Sequence, residues 1–453
     1  MSAHEVPTPY IEDFTAFWAR ADLYVMRPDV EPLDRWPDEV LQPDDFGIRV
    51  IVLLPGDYRG RSNGSLGDGV LYIEASGTET EPLLVTYAPA VGADIGAAPH
   101  PAERLGGSEA RLIGIRVWNQ RYQSFHGLTF RDGFASSLVR DAEGITIDRC
   151  LWHETTGQPL RIRFDTQRCL VQRCVMQRFD ASQWAPNDVV AIQLSDGACT
   201  HNRFVSNVIL NYTDSLQTTD REGEPYGLSA GTLVDNNFMG FTAEAYLQEP
   251  NGELLCGENS LDFKMGGTEA EPVRVTNNVF FGTRAAKPGC AASGSGGYAI
   301  TLQRRGTWIE MTDNLFVDCD SGIFLNAMFL NVDAAQGRID PEWTFRRNTF
   351  SGMRSYSTAF PTRTGRVFSG SSPARFEENR IVACDRLMER EPVPNTGDLV
   401  FANNALYGPI VLDPRDETRL RADGNTLDAA AAGVPVVLPL PWVGLSLRYL
   451  DAP

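Results

Sequence analysis

Lysine is almost missing from this sequence. Only Lys264 and Lys287 occur, so the 40 basic residues are nearly all arginine and any lysine chemistry has two positions to choose from. Histidine is sparse too, with five in 453 residues. Positive charge is short overall: 59 acidic residues against 40 basic ones give a net charge of -19, which repels nucleic-acid phosphates and anionic membrane surfaces. Neither a nucleic-acid nor a membrane partner is expected. An anionic ligand stays open, because a local row of arginines reverses the potential inside a groove. No run of eighteen apolar residues occurs, so no membrane-spanning helix is expected. The opening Met-Ser-Ala-His-Glu-Val-Pro lacks the basic and apolar regions of a signal peptide. The chain reads as soluble and monomeric, cytoplasmic as it stands, secreted or periplasmic if a leader has been removed. The eight cysteines (150, 169, 174, 199, 256, 290, 319 and 384) include no C-x-x-C pair and no zinc spacing. Sulfur-bound metal is thereby disfavoured, and most of these thiols are expected reduced in the core.

What the sequence does hold is a repeat. Arg149-Cys-Leu-Trp152, Arg173-Cys-Val-Met176, His201-Asn-Arg-Phe204, Asp235-Asn-Asn-Phe238, Asn277-Asn-Val-Phe280, Asp313-Asn-Leu-Phe316, Arg347-Asn-Thr-Phe350, Glu378-Asn-Arg-Ile381 and Asn403-Asn-Ala-Leu406 share one pattern: polar, Asn or Cys, any residue, large apolar. The Asn/Cys positions are 150, 174, 202, 236, 278, 314, 348, 379 and 404. Alternating apolar segments such as Ile145-Thr-Ile147, Val273-Arg-Val275 and Trp343-Thr-Phe345 precede most of these tags. Short strands fit this pattern and long helices do not. Repeats of this length indicate a solenoid, here a right-handed parallel β-helix in which Asn at a bend bonds to its copies one rung away. Cys150 and Cys174 share the Asn position, so stacked core residues are a better reading of them than catalytic thiols. Residues 9–28 are expected to form a capping helix. The organisation expected is a cap over 1–45, a β-helix over 46–407 and a C-terminal cap over 408–453.

Spacing beyond the shortest rung must leave the solenoid as loops, and loops carry function. The surplus is greatest between 236 and 278, with long rungs on either side, which places a walled cleft between residues 202 and 314. After each tag a second alternating segment follows, and its outward residues form a polar column. Arg161, Arg163, Gln193 and Gln217 come first, then Ser260, Asp262 and Lys264, with Glu258 one step earlier and Gln303 one rung later. A lysine on the longest-looped rung is the best candidate for a titrating base, with burial or Arg304 and Arg305 expected to lower its pKa. An exposed Asp–Lys pair is the plainer alternative. Tyr246, Tyr298 and Phe324 are candidates for stacking on sugar rings. Asp214 and Asp220 read more readily as solvated loop acids than as metal ligands. His126 and His153 stand out only by scarcity, and His201 reads as a turn residue.

These residues carry a resemblance. Leu53-Leu-Pro-Gly-Asp-Tyr58, Ala75-Ser-Gly-Thr78 and Phe125-His-Gly-Leu-Thr-Phe-Arg-Asp-Gly133 are similar to the opening turns of the chondroitinase-B-like polysaccharide lyases, a family that includes alginate lyases. Glu258-Asn-Ser-Leu-Asp-Phe-Lys264 resembles that family's acidic strand ending in a catalytic lysine. Thr301-Leu-Gln-Arg-Arg-Gly306 resembles the strand that carries its catalytic arginine. The resemblance implies Lys264 as base, Arg304 or Arg305 as carboxylate partner or acid, and a calcium ion near Glu258 and Asp262. The acidic spacing departs from the family's. The implied function is β-elimination of a uronate-containing acidic polysaccharide such as alginate, a glycosaminoglycan or pectate. The chemistry needs a cation, because proton loss beside a carboxylate leaves a dianion to stabilise. Two alternatives stand beside it: a β-helix glycoside hydrolase or uronate epimerase, whose usual aspartate and histidine signatures are missing here, and a non-catalytic glycan-binding or structural solenoid.

Overall fold

The computed structural model describes residues 14–28, 42–61, 68–91, 109–131, 137–178, 189–219, 228–242, 258–283, 297–303, 308–326, 332–333, 337–338, 343–353, 366–370, 374–389, 399–408, 410 and 423–428. The architecture is a right-handed parallel β-helix: short strands recur in a fixed order of three faces, and every face is a parallel sheet. Two units are distinguished, one of residues 1–160 and 166–176, the other of 161–165 and 177–453.

In the first unit the helix Phe14–Trp18 lays Phe17 on Val50, Val52, Leu84 and Ala88 at the start of the first sheet. Residues 9–28 are therefore not one helix. After one turn and a half the chain extends as Leu23–Met26, whose β-branched and aromatic residues pair in parallel with Val50–Leu53, inside the segment expected as a cap. The first sheet continues through Leu83–Tyr87, Gln123–His126, Thr146–Asp148 and Leu170–Gln172.

In the second unit the first sheet runs from Arg203–Val205 through Leu233–Asp235, Val273–Thr276, Ile309–Thr312, Trp343–Arg346 and Ala374–Glu377 to Leu399–Ala402. The third sheet runs from Val208–Leu210 to Thr426–Asp428, the last strand falling within the segment expected as the C-terminal cap. Between these faces lies the second sheet, whose order is Leu160–Arg163, Val190–Ser195, Asp214–Thr218, Asn259–Phe263, Tyr298–Gln303, Ser321–Asn326, Arg366–Gly370 and Arg386–Glu389. Leu216, Leu261, Ile300 and Ile323 are paired across it and buried, so alternate residues fill the core. Stacked rings do the same elsewhere, as in Phe280, Phe316 and Phe350, with centroids 4.9 and 4.4 Å apart.

The bend between the first and third sheets is where the repeat has its physical meaning. The residue before each ladder Asn has positive φ: Asn236 at 55°, Asn277 at 56°, Asp313 at 60°, Arg347 at 56° and Glu378 at 57°. Such a backbone costs roughly 1–3 kcal/mol at a residue other than glycine, so it needs compensation. The ladder supplies it. Asn278 Oδ1 accepts the backbone N–H and the side-chain amide of Asn237, both at 2.9 Å, while its own amide donates to Val234 O at 2.9 Å. Asn314, Asn348, Asn379 and Asn404 repeat this arrangement, and Asn425 closes it by accepting from Asn404.

The structure corrects two steps of the expected ladder. Its members are Asn207 and Asn237, not 202 and 236. The His201-Asn-Arg-Phe204 segment imitates the tag but opens a strand of the first sheet. Cys174 and Cys150, in the first unit, do hold the ladder position: the Cys174 thiol reaches Ile147 O at 3.5 Å, as each Asn amide reaches the strand one rung back. All six described cysteines are buried free thiols, and burial pushes Cys169 and Cys384 up to about 12. Among the described residues no helix is long and apolar enough to cross a membrane.

Candidate active site

Lys264 directly follows the strand Asn259–Phe263 of the second sheet, in the second unit. Its ammonium lies 2.9 Å from Asp262 Oδ2, with the lysine side chain 22% exposed and the aspartate only 2%. The pair is half inside the protein, which removes the plain reading of a solvated surface contact. Register then assembles the rest of the site. Gln193, Gln217, Asp262, Thr301 and Phe324 occupy one column, each paired with the next. Gln193 donates to Gln217 at 3.1 Å, and the Gln217 amide donates to Asp262 at 3.2 Å and to Asp214 at 3.0 Å. One rung on, Thr301 donates to Asn259 at 2.6 Å. Polar side chains on three successive strands thus form a hydrogen-bonded row that ends at the lysine.

Asp214 is the residue that strand alternation misplaces. Three positions before Gln217, it belongs by parity to the inward face and by composition to a loop, yet it is fully buried and meets Gln217 side chain to side chain. Asn259 stands in the same register as Asp214 and accepts from Thr301, a column residue one strand on. The only sign of this in the sequence is a polar pair, Asp214-Ser215 or Asn259-Ser260, opening each strand.

Electrostatics reverse one expectation. Burial is the largest influence on Lys264 and lowers its pKa, but the charge and hydrogen bond of Asp262, with the charges of Asp214 and Glu258, together outweigh it, and the net shift is upward. An expected base with a lowered pKa is instead an ammonium held by carboxylates. Those same carboxylates do not fit a calcium ion. Such an ion takes six to eight oxygens, whereas Asp262 is already engaged by a cation and an amide donor. Among the described residues no group of three metal-ligating side chains converges.

The remaining expected residues divide by place. Tyr298 is buried against Phe324, the rings stacked at 4.8 Å and 21°. Arg163 is ion-paired with Asp196, which also accepts from the Ser195 hydroxyl. Arg161, half-buried two residues earlier, has its pKa lowered by burial and then by the like charge of Arg163. Gln303 ends the strand next to that of Lys264. Arg304, Arg305, Tyr246 and Asp220 lie outside the described residues. His201 has a turn conformation, φ 56°, and its Nε2 is hydrogen-bonded to Glu271 Oε1 at 3.1 Å. His126 is buried in the first unit, 3.1 Å from Thr86 Oγ1 and 3.8 Å from Asp148 Oδ2. Asp148 is in turn gripped by Arg173 through two bonds of 2.9 and 2.7 Å. With Thr86 and Asp148 at 0% exposure, this cluster lies enclosed in the core of the first unit.

Comparison with known structures finds the same fold in other chains. A structure described as a mannuronic acid specific polysaccharide family 6 lyase from human gut microbiota superimposes with a TM-score of 0.51 at 12% identity, covering 89% of this chain and 85% of its own. An alginate lyase from Paenibacillus sp. str. FPU-7 covers 78% of this chain and 91% of its own at a TM-score of 0.39 and 12% identity. The pectate lyase Pel9A covers 66% of each at a TM-score of 0.43 and 14% identity. No family model matches the chain. No curated protein matches it either. At such identities the likeness is one of fold.

Proposed function

We propose that this chain is a polysaccharide lyase that cleaves a uronate-containing acidic polysaccharide by β-elimination, with Lys264 as the base. The observation that carries the reading is the placement of one of the sequence's two lysines at the end of a hydrogen-bonded polar row, its Nζ 2.9 Å from a buried carboxylate. In the reaction the proton α to the uronate carboxylate passes to Nζ. The electron pair left behind closes a double bond to the neighbouring carbon, the bond to the 4-linked oxygen breaks, and that oxygen leaves protonated. Only the neutral amine can accept the proton, so the upward shift at Lys264 makes the base scarce at neutral pH and the rate rise with alkalinity. Arg304 and Arg305 are proposed as the carboxylate partner or acid.

The test is turnover of alginate, pectate and glycosaminoglycans followed by near-ultraviolet absorbance of the unsaturated product, in the wild type and in Lys264→Ala. Loss of all but a trace of activity in the variant is expected; full retention removes the role given to Lys264. A second reading, glycan binding without turnover, draws on the same ion pair, since a lysine held charged by Asp262 suits recognition of an anion. Wild-type binding to the same panel with no product from any member favours that reading.

A further inference from the structure

Three carboxyl side chains, Asp214, Glu258 and Asp262, surround the single ammonium of Lys264, so acidic groups outnumber basic ones at the centre of the row. A polyuronate bound there must find positive charge elsewhere along the row. The backbone shows where. Phe164 N–H donates to Ser195 O at 3.1 Å, which in a parallel pair sets Arg163 opposite Ser195 and Arg161 opposite Gln193. Arg161 therefore heads the column that continues through Gln193 and Gln217 to Asp262. Its two arginines are not equivalent. Arg163 is neutralised by Asp196, whereas Arg161 Nε is buried with no hydrogen-bond partner, and no ion pair compensates its guanidinium among the described residues. A half-buried cation left in this state costs stability, the usual sign of a group kept for a ligand.

We infer that Arg161 binds the carboxylate of a second uronate residue, about three sugars along the chain from the one at Lys264. The inference rests on the lyase reading for the identity of the residue at Lys264. Three strand steps separate the two positions, about 14 Å at the usual strand spacing. Each step is close to the length of one sugar residue in an extended chain, so the row matches successive residues, the Gln193 and Gln217 strands spanning the two between. The substrate class follows: a run of at least four sugars with uronates at both ends of the run, in place of an isolated uronate in a neutral chain. On the opposite flank Tyr298 and Phe324 stack and offer ring faces.

The experiment compares Lys264→Ala with the Lys264→Ala, Arg161→Gln double variant by calorimetry, using oligouronates of two to five residues and carboxyl-reduced tetramers. The single variant is expected to bind the tetramer more tightly than the trimer. The double variant is expected to lose that step, about tenfold, as for a charge-assisted hydrogen bond, with the reduced tetramer unaffected. In the otherwise wild-type chain Arg161→Gln is expected to raise KM for polymer with kcat nearly unchanged, Arg161→Lys lying between. Its melting temperature should hold or rise, since a half-buried charge with no ion-pair partner among the described residues is removed; an arginine with a purely structural role gives a lower melting temperature and an unmoved KM. A tetramer step that survives Arg161→Gln overturns the inference and leaves the lyase reading intact. Failure of the wild type to bind or cleave any uronate polymer overturns both.

Discussion

Replacing Asp262 with Asn tests whether Lys264 is a base more sharply than removing the lysine does. Asp262 Oδ2 sits 2.9 Å from Nζ and also accepts from Gln217 at 3.2 Å. An amide of the same shape can keep both contacts through its oxygen while the negative charge disappears. At an effective dielectric of about 20, charges 2.9 Å apart attract by roughly 6 kcal/mol. Desolvation of several kcal/mol per ion offsets most of that. A net of only about 1.4 kcal/mol still multiplies the neutral amine tenfold. With Asp262 neutralised, burial, which lowers the Lys264 pKa, meets opposition only from Asp214 and Glu258, so the pKa falls. The expected outcome is a rise of about tenfold or more in kcat/KM near neutrality and a rising limb of the pH profile displaced to lower pH. Initial rates across about pH 6 to 10 measure it. Because the sequence has two lysines, carbon-13 reductive methylation followed by NMR titration reads the amine itself. If the amine titrates lower while the kinetic limb stays in place, Lys264 is not the base. Loss of activity at every pH points instead to the carboxylate as the group the chemistry needs.

Two further outcomes follow from the fold. Asn314→Ala strips the acceptor from the Asn278 N–H and side-chain amide, each at 3.0 Å, and the donor from Val275 O at 2.8 Å; a loss of about 3 kcal/mol is expected in urea unfolding. A loss below about 0.5 kcal/mol contradicts a stabilising ladder. The buried thiols of Cys169 and Cys384, moved by burial from the ordinary 9.0 to about 12, stay protonated in the fold while unfolded thiols ionise. The unfolded state then binds fewer protons, so stability falls by roughly 1.4 kcal/mol per pH unit per thiol between pH 9 and 12. Urea midpoints measured against pH check this, and Cys384→Ala should flatten the slope.

Much of the fold was legible because a solenoid writes its geometry locally. Asn at a bend needs a neighbour able to take positive φ and a copy of itself one rung away, and both conditions show as a repeated tag. The tag failed at 202 because His201-Asn-Arg-Phe204 has the same polar and apolar order while opening a strand of another face. Short strands begin alike at every corner, so composition alone does not tell one corner from the next. The groove column was legible by period-2 alternation, and Gln193, Gln217 and Asp262 stand in register as read. Alternation failed at Asp214, whose side chain joins the row from a position that parity assigns to the core.

Two lysines, a net negative charge and a repeated strand–bend unit were determined by the sequence itself, and with them the β-helix and the strand that Lys264 follows. Only the tertiary structure decided that this lysine is held charged. Its protonation is a sum of burial against the charges of Asp262, Asp214 and Glu258, and two of those carboxylates, Asp214 and Asp262, meet through Gln217, a residue 45 positions away from Asp262. Periodicity is a property of neighbours along the chain; desolvation and Coulomb energy belong to neighbours in space, which the stacking of rungs brings together.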